Sequence, residues 1–276
     1  MSMLGLIAGS GPLPFEVAEA AGDLGLGVAI AAIERNTDPT IQSRARGPFA
    51  WFAAGELERL IAFFKDAGVD EVILAGAVAK RELLQDPAAL RPDARAIALL
   101  SRLDVRGDDA LLRAVAQELE SEGLPVVPST KHLEDRLVAE GVMTGDGQLA
   151  PAVEADLALG LGVARSLGVH DIGQGVVVSS GTVVAVEAVE GTDAMIRRGA
   201  ELAGPGSVVV KVAKPRQDLR FDVPAIGRGT IEVAREGGVV AIGLEAGRTI
   251  VLERERALAE ARRAGISVVG LKSEST

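Results

Sequence analysis

In the first half of the chain, short continuous apolar runs alternate with apolar stripes at helical spacing. Leu4 to Ala8 is a run of strand length ending at Gly9-Ser10-Gly11-Pro12, after which Leu13, Val17 and Ala21 recur at helical intervals. Val28 to Ile33 is a second run. Leu57, Leu60, Ile61 and Phe64 form another amphipathic stripe, stopped at Gly68 and followed by Val72 to Ala75 as a buried strand. Behind Gly107-Asp108-Asp109, where either aspartate suits a helix cap, Leu111, Leu112, Val115 and Leu119 repeat the stripe, and Val126-Val127 reads as a last strand. Strands alternating with helices predict an α/β domain whose parallel sheet is covered on both faces.

Gly145-Asp146-Gly147 and Pro151 punctuate the chain, and no second copy of the first pattern follows. The expected division is therefore a domain over 1–144, a linker over 145–151 and a second domain over 152–276. In the second, Leu157, Leu161, Ala164 and Leu167 mark a helix ended by Gly168. The segment VVVSSGTVVAVEAVE reads as a hairpin with a Ser-Ser-Gly turn. Strand alternation places Val184, Val186 and Ala188 inward and Glu187 outward. Thr192 or Asp193 is the expected cap of a helix carrying Met195 and Ile196. Ser207 to Val212 is a further β run, and Pro224 opens a helix ended by Gly237-Gly238. Strands over Val239 to Ile242, Thr249 to Leu252 and Ile266 to Gly270, with a helix around Leu258, complete a mixed α/β domain.

Composition narrows the chemistry. The 276 residues are 48% hydrophobic, enough for a sizeable core, and the net charge of −10 leaves no global basic field for nucleic acid. The absence of cysteine removes disulfides, thiolate metal sites and a cysteine nucleophile. His132 and His170 are too few for a histidine zinc site, so a hard metal on oxygen ligands is the remaining metal chemistry. The first apolar run is broken by glycines and lacks a basic flank, so it reads as neither signal peptide nor membrane span. A cytoplasmic protein is expected.

Carboxylates gather with cations at turns of the second half: Glu187, Glu190, Asp193, Asp218 and Asp222, with Lys211, Lys214, Arg216 and Arg220 interleaved. A metal-assisted phosphoryl site needs this combination, and a solvated loop shares it, so the functional case rests on the cluster as a whole. In the first half, the glycines at 9 and 11 let backbone amides approach a ligand, and the helix N-terminus beyond Pro12 favours phosphate or carboxylate. A dinucleotide fingerprint requires glycine where Pro14 stands, although Glu34 falls at the spacing of a ribose-binding acid. Lys80 and Arg81 follow the Val72–Ala75 strand at the edge where such sheets bind ligands. His132 reads as a surface or packing residue.

The segments LGLIAGSGPLP (4–14), GDDALLR (107–113), DIGQGVVV (171–178), AVEAVEGTDAM (185–195) and KPRQDLRFDVPAIGRGTI (214–231) together resemble the UDP-2,3-diacylglucosamine pyrophosphatases of lipid A biosynthesis in Gram-negative bacteria, the branch lacking a metallophosphoesterase fold. The resemblance implies a magnesium-supported hydrolysis to UMP and 2,3-diacylglucosamine 1-phosphate. It also implies a Rossmann-like N-terminal domain, a distinct C-terminal domain with the ligand between them, a homodimer, and transient contact with the inner-membrane surface. Its essential acid falls on Asp222. Glu187, Glu190, Asp193 and Asp218 are then candidate metal ligands beside Asp222. Lys80, Lys211 and Lys214 are expected on phosphate oxygens, Gly9, Ser10, Gly11 and Pro12 around the nucleotide, and Gln174, Gly191, Thr192 and Thr230 as further substrate contacts. Lys80-Arg81 departs from the Arg-Pro pair common in that family. Two other readings are a nucleotide-dependent oxidoreductase acting on a UDP-sugar, for which the chain lacks a catalytic tyrosine, and a non-catalytic lipid-binding protein suggested by the abundance of Ala, Val, Leu and Gly.

Overall fold

The computed structural model describes residues 2–78, 87–102, 108–145, 147–215 and 217–272. Contacts divide the chain into Met1–Glu134 with Asp218–Asp222 (unit 1), and Asp135–Gln217 with Val223–Thr276 (unit 2). Lys80, Arg81 and Arg216 lie outside the described residues, as do the side chains of Asp108 and Asp109.

Unit 1 is built on strands β1 (Met3–Ala8), β2 (Gly27–Ile33), β3 (Phe49–Phe52) and β4 (Glu71–Ala75), in the order β3-β2-β1-β4. All pairs are parallel. This is the strand order of a Rossmann half. Every residue of β2 is buried. Val28, Ile30 and Ala32 pack with Val17, Ala18 and Ala21 of helix α1 (Leu13–Asp23). The alternate residues Ala29, Ala31 and Ile33 pack with Leu57, Leu60, Ile61 and Phe64 of α2 (Leu57–Asp66). Helices α3 (Ala94–Ser101) and α4 (Asp108–Ser121) add Leu99, Ala116 and Leu119 to that second face. Covering on both sides explains the unbroken apolar run of β2. β3 was not among the expected strands: four residues after Pro48 carry too little periodicity to read. The expected strand at Val126-Val127 is a single parallel bridge from Val126 to Val72, because Pro125 and Pro128 on either side have no amide to extend the ladder.

The short stretch Asp218–Asp222 joins this unit through packing. Phe221 is buried in the α2–α4 core, the carbonyl of Arg220 accepts from the Ser129 amide at 3.1 Å, and Arg220 Nη1 donates to Glu120 Oε1 at 2.9 Å.

Unit 2 contains a six-stranded sheet, ordered β5-β12-β10-β8-β6-β7, and a two-stranded one, β9-β11. Its strands are β5 (Gly141–Val142), β6 (Gly175–Ser179), β7 (Thr182–Val186), β8 (Val208–Lys211), β9 (Ala225–Ile226), β10 (Ala241–Glu245), β11 (Ile250–Val251) and β12 (Ser267–Leu271). β8, β10 and β12 run parallel, while β5, β6 and β7 are antiparallel to their neighbours. Helix α5 (Pro151–Val169) covers one face through Leu157 and Ala164, against Val176, Val208 and Val210. α6 (Thr192–Ala203), α7 (Arg228–Glu236) and α8 (Arg254–Ala264) cover the other, against Val177, Val209 and Ile242. Since β5 pairs with β12, the division falls after Glu134, earlier than the Gly145–Pro151 punctuation suggests.

Three local readings change. Glu187 and Ala185 are buried, whereas Val184 and Val186 are half-buried and Ala188 is exposed, the reverse of the expected faces. Helices lie on both sides of the hairpin, so alternation alone does not identify the inner face. Pro224 precedes the short strand β9, and the helix starts only at Arg228 behind Gly227. Neither Thr192 nor Asp193 is the cap of α6. That position is Gly191, at φ +81°, a left-handed value that glycine adopts without steric cost. No helix among the described residues is long and apolar enough to cross a membrane.

Candidate functional site

Lys211 ends β8, and because β6 and β7 run antiparallel, Gly175 and Glu187 are delivered to the same end of the sheet. Gly175 is paired with Lys211 across β6 and β8, and the Glu187 amide donates to Gly175 O at 2.8 Å. The three positions thus form a row on the α6–α7 side, with a bare backbone in the middle. A Cβ on Gly175 would lie 2.7 Å from Glu187 Oε2, so the missing side chain is the space that the carboxylate occupies. Both flanking charges are withdrawn from water: Glu187 is 7% and Lys211 8% exposed.

Two helices begin around this row. Thr192, first residue of α6, donates from Oγ1 to Glu187 Oε1 at 2.8 Å. Lys211 Nζ donates to Ala225 O at 2.9 Å, in the short strand that leads into α7. Thr230 Oγ1 in the first turn of α7 donates to Asp193 Oδ1 at 3.1 Å and joins the two helix starts. Neither helix has a side-chain cap, its N-cap being Gly191 or Gly227. The amides of residues 192–194 and 228–230 therefore have no intrahelical acceptor, and the positive ends of two helix dipoles meet beside a buried ammonium. Within the same recess Glu187 Oε2 is buried with no hydrogen-bond partner among the described residues. A buried carboxylate oxygen left so is costly. Donors and ammonium suit a phosphate, and the two carboxylates would repel it unless a cation stood between them. The arrangement therefore fits an anion and a cation taken together.

The other expected residues are distributed differently. Gln174 sits one position before Gly175, its backbone carbonyl accepting from the Val212 amide at 2.9 Å and its Oε1 buried with no partner among the described residues. Glu190 is engaged by Arg198 at 2.6 Å, and that hydrogen bond holds its carboxyl below the usual range. Lys214 is paired with Asp171 at 2.6 Å. In unit 1, Asp218 receives Arg220 Nε at 3.0 Å and Nη2 at 2.8 Å. This two-pronged contact, outweighing partial burial, depresses its pKa. Asp222, four residues on, is exposed, with its amide on Asp218 O at 3.2 Å. Among the described residues, neither unit gathers three His, Asp or Glu side chains as a metal cluster.

The glycine turn of unit 1 departs most from its sequence reading. The Gly9 amide donates to Ala75 O and the Ser10 amide to Ala77 O, both at 2.8 Å, and Ser10 Oγ donates to Ala77 O at 2.9 Å. A Cβ on Gly9 would meet Ala77 O at 2.5 Å, and one on Gly76 would meet Ser10 O at 2.4 Å. The glycines allow one loop to lie against another, and these donors are taken up by the protein's own backbone. Gly11 and Pro12 remain at the surface at the start of α1. Glu34, the expected ribose acid, is held by Arg91 Nη2 at 2.5 Å.

Glu245 was not among the expected site residues. It ends β10 beside Lys211 and is buried. A lone acid closing an apolar run before Ala-Gly was the only sequence signal available.

Two family models match the chain: the LpxI N-terminal domain over residues 3–136 and the LpxI C-terminal domain over residues 139–269. A curated relative, the UDP-2,3-diacylglucosamine pyrophosphatase LpxI of Caulobacter vibrioides, is 40% identical over 284 residues, which cover 98% of each chain. Among solved structures, L-threonine dehydrogenase from Phytophthora infestans aligns with 45% of this chain and 34% of its own, at 14% identity and a TM-score of 0.29. UDP-glucose 4-epimerase from Brucella ovis aligns with 42% of this chain and 33% of its own, at 17% identity and a TM-score of 0.28. The chain spans about a third of either solved protein, and likenesses this distant carry no argument.

Proposed function

The chain belongs to the LpxI family, and on that premise we propose that it hydrolyses the diphosphate bond of UDP-2,3-diacylglucosamine, giving UMP and 2,3-diacylglucosamine 1-phosphate, in lipid A synthesis. The observation that carries the reading beyond family membership is the recess of unit 2. The starts of α6 and α7, which lack side-chain caps, the buried Lys211 and Glu187 Oε2, which has no partner among the described residues, offer what a diphosphate and its counter-cation require.

In this reading the amides of residues 192–194 and 228–230 and the ammonium of Lys211 receive phosphoryl oxygens, whose charge grows as water adds to phosphorus and the bridging P–O bond breaks. Gln174 and Thr230 orient the substrate. On the family resemblance, Asp222 is assigned as the base that accepts one proton of the attacking water, the other staying on the new phosphate. With neither a thiol nor a suitably placed histidine among the candidates, direct attack by water is the simplest course. Glu187 and Asp193 fit magnesium, which commonly takes one or two carboxylates and completes its shell with water and phosphate oxygens. Bound there, it would neutralise charge on the diphosphate. Glu190 and Asp218, already engaged by arginines, fit that role less well. The oxidoreductase reading gains nothing from unit 1, where the Gly9 and Ser10 amides and Glu34 have partners of their own.

The test is release of UMP from UDP-2,3-diacylglucosamine by the purified protein, with magnesium and with EDTA. UMP in the first reaction and not in the second is expected. No UMP under either condition, with lipid bound, would favour the lipid-binding alternative.

A further inference from the structure

Glu245 has no part in the chemistry above, yet it is 2% exposed at the same sheet edge. Leu244, its neighbour, is paired with Lys211 across β10 and β8. Glu245 Oε2 accepts from the Ala213 amide at 3.0 Å, just past the end of β8. Its Oε1 lies 3.4 Å from Arg165 Nη2, and the same nitrogen donates to Lys272 O at 3.2 Å, just past the end of β12. Thr249 Oγ1 donates to the Glu245 carbonyl at 2.7 Å. One carboxylate, with one guanidinium from α5, thus ties the ends of three neighbouring parallel strands.

Burying an ionised carboxylate is costly, and an apolar side chain would fill the same space more cheaply if packing were all that mattered. The carboxylate's acceptor oxygen adds a fixed exit from β8. The Ala213 amide is held on one side of the sheet by Glu245 at 3.0 Å, and the Val212 amide by Gln174 O at 2.9 Å, so the chain leaving β8 is pinned while Lys211, facing the other side, points toward Ala225 and the recess. Catalytic electrostatics depend on such fixed placement of charge.

We propose that Glu245 is a positioning residue for the hydrolysis: through Ala213 and Arg165 it fixes the end of β8 so that Lys211 presents its ammonium at the diphosphate recess. The inference rests on the reading of that recess given above.

The experiment is steady-state UMP release by wild type, Glu245→Gln, Glu245→Ala, Lys211→Met and the Glu245→Ala/Lys211→Met pair, with folded fraction and Tm measured alongside. Glutamine keeps an acceptor for the Ala213 amide and is expected to stay within about threefold of wild type. Alanine is expected to lower kcat by roughly tenfold or more with KM little changed, and to add nothing in the Lys211→Met background, as for residues acting through one group. Glu245→Ala with wild-type kcat per folded molecule, or effects that multiply in the pair, would overturn the proposal. Should Glu245→Ala not fold, Arg165→Met replaces it, with an expected kcat loss of about threefold; wild-type kcat would count against the proposal. Absence of UMP from the wild type would instead overturn the assigned reaction, and this inference with it.

Discussion

The two units end their parallel strands in opposite ways. At the end of β1 and β4 in unit 1, the Gly9 amide donates to Ala75 O at the end of β4, the Ser10 amide and hydroxyl donate to Ala77 O in the loop beyond it, and Thr37 Oγ1 donates to Ala8 O. At the end of β8 in unit 2, two helices start without side-chain caps and a buried carboxylate oxygen has no partner among the described residues. Unit 1 has the more suggestive sequence, a glycine-rich βα turn, while unit 2 has the more available chemistry. Glycine permits close approach, and the approaching group can be a ligand or another stretch of backbone.

Asp222, the proposed base, lies on the Asp218–Asp222 stretch that Phe221 anchors in unit 1. The largest expected effect follows: Asp222→Ala should lower kcat by about a thousandfold, as for loss of a general base, with Tm near wild type because the residue is exposed. Near-normal UMP release would remove Asp222 from the reaction. A direct contrast of the two edges comes next. Lys211→Met should lower kcat/KM by about a hundredfold, in the range for losing a positioned charge, whereas Ser10→Ala should change it by less than about threefold because its hydroxyl serves a backbone carbonyl. The reverse order in parallel assays would invert the comparison.

Stability separates the units further. Gly9→Ala places a methyl against Ala77 O and should cost about 1–3 kcal/mol by overpacking, read as a fall in the urea midpoint. The smallest effect concerns acid. Asp218 is held below its ordinary pKa, chiefly by the hydrogen bonds from Arg220. Its contribution to stability is therefore present above the unfolded carboxylate pKa of about 4 and lost as pH falls through the folded value. Asp218→Asn should be less stable than wild type at neutral pH and flatter in its acid dependence below about pH 4; identical slopes in both proteins would deny that role.

Much of the fold was legible because local periodicity sufficed. The β1–α1–β2 run, the α2–β4 run and the β6–β7 hairpin are each written in consecutive apolar spacings. The remainder depended on distant residues. Which side of the hairpin faces inward is decided by α5 and α6 together, and β9 is two residues long. The membership of Asp218–Asp222 rests on Phe221 reaching a core formed by α2 and α4. In the site, Glu187 with Thr192, Asp193 with Thr230, and Lys211 at the end of β8 lie in one recess; of these the cluster argument names only Glu187, Asp193 and Lys211. Glu190, Lys214 and Asp218 instead have charged partners at 2.6, 2.6 and 2.8 Å, because their type and position were visible in the sequence while their neighbours were not.

The central claim is that the recess beside Gly175 holds a diphosphate together with its cation. The magnesium dependence of UMP release by wild type and Glu187→Gln tests it most directly. The account predicts a half-saturating magnesium concentration raised about tenfold in the variant, as for loss of a ligand or its support. Superimposable magnesium curves, with the variant folded, would contradict it.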